Sequence, residues 1–191
     1  VGSTKKLISE TIDDLEKGKS RFIGSHPMTG SEKSGSIYST KDLFKDKIVV
    51  ITPTNRSEIE NVKNINWFWQ YIKAKTVIID PVSHDRITCL TSHLPHLSVF
   101  ALLLTLLEEP QSSNNFNGIF GNGLLDTTRI GGSDSVMWTE IFHSNSHNII
   151  ELIDKYSAKL SLFKELIINN EINKIEELIQ KVSDFRKKLI T

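Results

Sequence analysis

The sequence predicts an α/β layer followed by an all-helical portion, and three observations carry that reading. Two β-branched apolar runs, KIVVIT at Lys47–Thr52 and TVII at Thr76–Ile79, are separated by a stretch with helical spacing. Strand, helix, strand alternation indicates a mostly parallel sheet covered by helices. After His84 the strand signals vanish, and apolar residues recur at intervals of three and four to the end of the chain. The boundary is therefore expected near Pro81 to His84, giving regions 1–83 and 84–191.

Each element has its own signal. Val1–Ser3 reads as a strand end and tight turn, with Ser3 a candidate N-cap for an amphipathic helix carrying Leu7, Ile8, Ile12 and Leu15. Gly18 ends that helix, and Arg21–Gly24 reads as a short strand. It leads into GSHPMTGSEKSG, Gly24–Gly35, where a single histidine, His26, sits in a Gly, Ser and Pro turn. Pro53 stops the strand of Lys47–Thr52, and Ser57–Lys73 forms a helix through Ile59, Val62, Ile65, Phe68, Trp69 and Ile72. Asp80-Pro81 closes the next strand. From Asp85 to Glu109 the pattern predicts one long helix that Pro95 must kink or interrupt, because proline lacks a backbone donor and clashes with the preceding turn. Gln111–Gly123 is a loop, Asp134 or Ser135 caps a short helix through Trp138 and Phe142, and two helices joined at Asn169-Asn170 end the chain. Their apolar stripes suit packing against a second subunit.

Composition narrows the function classes. Lys+Arg and Asp+Glu are both 23, so no charge excess points to nucleic acid or an anionic membrane surface. The apolar run Leu97–Leu107 is broken by Ser98 and Thr105 and is shorter than the ~20 residues a bilayer span needs, so it reads as a buried helix and no membrane partner is expected. The single cysteine, Cys89, cannot form an internal disulfide, which fits a reducing, cytoplasmic compartment. With neither an initiator Met nor an apolar leader, the N-terminus reads as a chain entered partway through.

Reactive side chains concentrate at Ser3, the His26 loop, SHDRITCLTSHLPH (Ser83–His96) and DTTRIGGSD (Asp126–Asp134). Cys89, His93 and His96 share a helical face, but Pro95 disturbs it and no fourth ligand is evident, so no metal is expected. His84 falls on the opposite side of that helix. No GxSxG elbow supports a serine hydrolase, and His84-Asp85 alone is a weak phosphohydrolase signal. Arg129, flanked by Thr127, Thr128 and Gly131-Gly132, suits a substrate carboxylate as well as a surface ion pair.

Taken together, VGSTK (Val1–Lys5), GSHPMTGSEKSG, ITPT (Ile51–Thr54), HD (His84-Asp85), SHLPH (Ser92–His96), DTTRI (Asp126–Ile130) and SDSVMWTEIFHSN (Ser133–Asn145) closely resemble the prephenate and arogenate dehydrogenase family of tyrosine biosynthesis. The resemblance runs in register over nearly the whole chain. It implies the C-terminal part of a Rossmann-like nucleotide-binding domain over 1–83, then an all-helical dimerisation domain over 84–191. It also implies oxidative decarboxylation of prephenate or arogenate, with hydride transfer to NAD or NADP, in a homodimer. His26 then matches the catalytic histidine, Ser3 the serine that orients it and the nicotinamide, and Arg129 the carboxylate-binding arginine. Glu32 and His96 match residues around the substrate pocket, with His84, Ser92 and His93 in supporting positions. Two departures stand out. The Gly-rich G-x-G-x-x-G turn is absent, GIFGNG at Gly118–Gly123 being a loop between helices. Leu124-Leu125 precedes Arg129 where many relatives carry Phe and a basic or polar residue, which bears on substrate preference. The chain alone is expected to expose an unpaired sheet edge and to bind dinucleotide poorly, the alternative to an enzyme being a non-catalytic dimerisation and substrate-binding fragment.

Overall fold

β2 (Ile48–Thr52) is the middle strand of a three-stranded sheet of order β1-β2-β3 in this computed structural model, which describes residues 1–15, 18, 20–29, 40–109 and 118–189. Val49 and Ile51 have no solvent exposure, and with Trp69 and Ala74 they form a core flanked by Ile23, Phe44, Ile65 and Ile72. β2 pairs in parallel with β3 (Lys75–Ile78) through the crossover helix α2 (Ile59–Tyr71). β1 (Gly24–Pro27) pairs antiparallel with β2, so the expectation of a mostly parallel sheet is corrected. A parallel pair needs a crossover such as α2, and among the described residues between β1 and β2 there is only a turn over 41–46. β1 and β3 are the two outer strands, with Val77 and Ile78 exposed on β3.

The strand that Arg21–Gly24 predicted begins instead at Gly24, so His26 belongs to a strand and not to a turn. Register explains why. Gly24 pairs with Thr52, and a Cβ there would lie 2.3 Å from Thr52 Oγ1, so only glycine allows the strands to close at this point. Pro27 ends the strand where its missing donor costs least. Trp69 Nε1 donates to Ser25 Oγ at 3.1 Å, tying β1 to α2.

α1 spans Lys6–Leu15, and Val1–Ser3 carries no strand pairing. Ser3 is not its cap. The backbone amides of Lys5 and Lys6 donate to the two carboxylate oxygens of Asp85, at 2.8 and 2.9 Å, so a residue distant in sequence caps the helix. Gly18 follows with φ +99, beyond the described end of the helix.

The long helix expected from Asp85 is three elements. α3 (Pro81–Thr88) starts at Asp80, whose side chain accepts from the Ser83 amide. A π-turn follows over Cys89–His93, and α4 runs from Leu94 to Glu108. Pro95 is the cause: it cannot donate to the preceding turn, and the Leu94 amide reaches back five residues to the Cys89 carbonyl. Only Val99 of α4 is buried, while Leu102, Leu104 and Leu107 are exposed, which corrects the expectation of a buried helix. Over 81–108 the segment is long and apolar enough to cross a membrane by length and composition alone, yet its first half buries His84, Asp85 and His93 in protein.

α5 (Asn122–Thr128) takes up the last residues of the expected loop and runs into a 3-10 turn, Arg129–Gly132. Asp134 caps α6 (Ser135–Ser144) by accepting from the Met137 amide at 2.8 Å. The chain forms two compact units, Val1–Ile149 and Ile150–Thr191. α7 (Ser146–Ile168) continues into the second, where a turn with Asn170 at φ 53 leads to α8 (Ile172–Lys188). The second unit buries Leu152 and Leu166 but exposes Leu160, Ile172, Ile179, Val182 and Phe185.

Candidate active site

Three side chains from two elements form a hydrogen-bonded line. His26 Nδ1, on β1, lies 2.9 Å from His84 Nε2, and His84 Nδ1 lies 2.7 Å from Asp85 Oδ1. His84 is fully buried and Asp85 is 1% exposed. The carboxylate survives this burial because it is fully paired. Burial works to raise the Asp85 carboxyl, but hydrogen bonds from His84 and the Lys6 and Lys5 amides outweigh that and hold it below the ordinary carboxylate range. The start of α1 adds its dipole in the same sense.

Burial, followed by the neighbouring His84, Lys5 and His93, pushes His26 down to about 4, against a smaller opposing pull from Asp85. His26 is therefore a neutral imidazole at neutral pH, able to accept a proton. Lys5 supports the same corner. Its buried ammonium donates to the Gly2 and Thr4 carbonyls at 2.6 and 2.9 Å, folding Val1–Lys5 around itself, and burial pushes it down to about 8. Thr4 Oγ1 donates to Ser144 Oγ at 3.0 Å, which fastens this segment to the end of α6.

His26 and Ser3 border a cavity of about 450 Å³. Its far wall comes from the π-turn, α4, the 3-10 turn and α6, through Ser92, His93, His96, Arg129, Met137 and Trp138. His96 stacks on Trp138, with ring centroids 3.8 Å apart, and its Nδ1 donates to the Ser92 carbonyl at 2.9 Å, leaving Nε2 as an acceptor. Burial lowers His96, with Arg129 adding to the shift and the Ser92 bond opposing it. Arg129 reaches the cavity because the 3-10 turn lies tight on α4: a Cβ at Gly131 would meet Leu103 Cδ1 at 2.3 Å. His93 is neutral as well, lowered to about 4 chiefly by burial, and its Nδ1 accepts from Asn145 Nδ2 at 3.2 Å. Asn145 also donates to the Asp85 carbonyl, so the end of α6 holds α3 and the π-turn together.

Of the residues singled out in the sequence, the structure brings Ser3, His26, His96 and Arg129 to one cavity, along with Ser92 and His93. Glu32 lies outside the described residues. A π-turn lies between His84 and His93 and shifts the helical register, so the α-helical count that set them on opposite sides does not hold. Cys89, His93 and His96 do not converge, and among the described residues no cluster of three His, Cys, Asp or Glu could hold a metal. Sequence reasoning missed Asp85, Lys5 and Trp138. The signal for Asp85 was present in the HD dipeptide one turn after the Asp80-Pro81 cap, but nothing local shows that its partners are eighty residues away.

The arrangement has known counterparts. Residues 1–78 match the family described as prephenate dehydrogenase, nucleotide-binding domain, and residues 80–181 match prephenate dehydrogenase, dimerization domain. A prephenate dehydrogenase of Lactococcus lactis is 30% identical over 97% of the chain, which covers 51% of that protein. A crystal structure of prephenate dehydrogenase from A. aeolicus, in complex with hydroxyphenyl propionate and NAD+, is 33% identical with a TM-score of 0.86 over 98% of this chain and 65% of that one. Arogenate dehydrogenase of Synechocystis is 26% identical, with a TM-score of 0.85 over 98% of this chain and 67% of that one. The chain spans about half the length of the curated relatives it matches.

Proposed function

Since the chain belongs to the prephenate dehydrogenase family, we propose that the intact protein oxidatively decarboxylates prephenate or arogenate, with NAD or NADP as hydride acceptor. The observation that carries this reading is the convergence of His26, Ser3, His96 and Arg129 on one cavity. The division of labour follows the earlier boundary, with 1–83 serving the nucleotide and 84–191 the substrate and the homodimer. A soluble biosynthetic enzyme of this kind acts in the cytoplasm.

The chemistry asks little of the protein because aromatisation of the ring drives it. His26, neutral and half-buried, accepts the hydrogen bond and then the proton of the ring hydroxyl, and returns the proton to the phenolate oxygen once carbon dioxide has left. Arg129 holds a substrate carboxylate with its planar fork. His96, stacked on Trp138, offers Nε2 to the substrate and an aromatic wall to its ring. Glu32 is assigned to the rim of the same pocket. Ser3, beside His26, orients the nicotinamide end of the cofactor, which when bound takes the hydride from the ring carbon bearing the hydroxyl. The donor set fits that end of the cofactor and not its diphosphate, since this sequence contains no G-x-G-x-x-G turn. The hydroxyphenyl propionate of the A. aeolicus complex is a ligand of the right chemistry for this cavity.

That missing turn, with the half-length match to the relatives, favours a second reading for the 191 residues by themselves: a substrate-holding and dimerising half without turnover. Mixing the chain, and separately the intact protein, with prephenate, arogenate, NAD and NADP decides between them. Reduced-nicotinamide absorbance from the intact protein alone fits both readings. Absorbance from the chain removes the second, and none from either removes the first.

A further inference from the structure

We propose that Asp85, seated on the first amides of α1, determines through His84 which nitrogen of His26 is free to act as base, leaving Nε2 bare. The proposal rests on the reading of His26 as the base and adds two positioning residues to it. Asp85 is an acceptor only. Its oxygens take the Lys5 and Lys6 amides and His84 Nδ1, so His84 must carry its proton on Nδ1. A single proton on His84, held at Nδ1 by Asp85, leaves its Nε2 a lone pair, and the 2.9 Å contact to His26 Nδ1 is then made by His26 donating from Nδ1. A neutral His26 then has no proton on Nε2. Both imidazoles and the carboxylate are thus locked in one order by the backbone of α1, which cannot change its protonation.

The arrangement also serves the charged state. When His26 takes a proton on Nε2 it becomes an imidazolium, and its Nδ1–H bond to His84 becomes charge-assisted. Asp85 stabilises that charge through His84 while remaining ionised, so no proton moves beyond His26. Around His26 the ionisable neighbours His84, Lys5 and His93 disfavour the imidazolium, and Asp85 is the group that favours it.

Long-range nitrogen-15 correlation spectra of the chain, above the ordinary imidazole value of about 6.5, are expected to show His26 as the Nδ1–H tautomer, with His26→Asn assigning the signal. An Nε2–H tautomer or an imidazolium overturns the proposal. Asp85→Asn removes the charge and puts an N–H₂ donor in place of one of the two oxygens, Oδ1 holding the Lys5 amide and His84 Nδ1 and Oδ2 the Lys6 amide, so the order of donors along the line is no longer fixed. The expected results are a His26 signal no longer confined to Nδ1–H and, in the intact protein, kcat lowered ~10²–10⁴-fold with KM within about threefold. A folded Asp85→Asn with wild-type kcat and tautomer contradicts the proposal. If Asp85→Asn does not fold, His84→Gln carries the test, since it leaves Asp85 on the α1 amides. There the single Nδ1–H tautomer should be lost and kcat should fall by about tenfold or more; persistence of both overturns the proposal. An intact protein inactive on prephenate and arogenate, with wild-type His26 still in the Nδ1–H tautomer, supports the relay and refutes the functional reading alone.

Discussion

The junction of α1, β1 and α3 and the terminal helices α7 and α8 treat burial in opposite ways. At the junction, ionisable groups are buried and completed within the chain: Lys5, His84 and Asp85 are each at most 2% exposed, and each has its partners. In α8 no residue is buried, although Ile172, Ile179, Val182 and Phe185 repeat at helical spacing. A polar network left half-paired is worse than none, so the junction must be complete in one chain to exist at all. An apolar stripe carries no such demand, and a second copy can cover it. Chemistry in this molecule is therefore local, and assembly is where it depends on something else.

The largest expected effect comes from breaking the junction at its reactive end. His26→Asn in the intact protein should lower kcat ~10²–10⁴-fold while leaving cofactor affinity near wild type, read by steady-state kinetics with either substrate. Undiminished turnover would remove His26 from its role. At the other end of the line, Asp85→Ala leaves the Lys5 and Lys6 amides and His84 unpaired in the interior. Urea unfolding should record a loss of about 3 kcal/mol or more, and a change under 1 kcal/mol would mean that water replaces the carboxylate.

Acid tests the same region by a smaller route. His26 and His93 are each lowered to about 4 in the folded chain, so the unfolded chain binds protons that the folded one refuses. Their stabilisation is present above about 6.5, the unfolded value, and is lost progressively as pH falls from there toward the folded value. The urea midpoint should fall over that window, and it should fall less in His26→Asn. The smallest effect on the chain's own stability is expected in α8. Ile179→Lys should change unfolding by no more than about 0.5 kcal/mol, because Ile179 is exposed. Sedimentation should instead show weakened self-association, and unaltered association would move the dimer contact away from this stripe.

Much of this was legible in the sequence where local rules decide. The β-branched run of β2, the Asp80-Pro81 and Asp134 caps and the turn at Asn170 each follow from a few adjacent residues. The family resemblance groups Ser3, His26, His96 and Arg129, which line one cavity in the fold. What was not legible depends on residues far apart in sequence. Asp85 caps α1 from eighty residues away, so Ser3 looked like the cap. β1 begins at Gly24 because Thr52 stands opposite, which no inspection of GSHP reveals. Pro95 announced an interruption of its helix but not its form, and the π-turn broke the α-helical count between His84 and His93. The exposed leucines of α4 read as core because periodicity reports an apolar face and not what covers it.

On the proposed function, one cavity within Val1–Ile149 holds a hydroxyphenyl carboxylate against His26 and Arg129. This is tested most directly by titrating hydroxyphenyl propionate into the 191-residue chain and following nuclear magnetic resonances of His26, His96 and Trp138. Saturable shifts at these three residues are expected, with affinity reduced about tenfold or more in Arg129→Ala. Shifts confined to residues elsewhere, or affinity untouched by Arg129→Ala, would contradict the account.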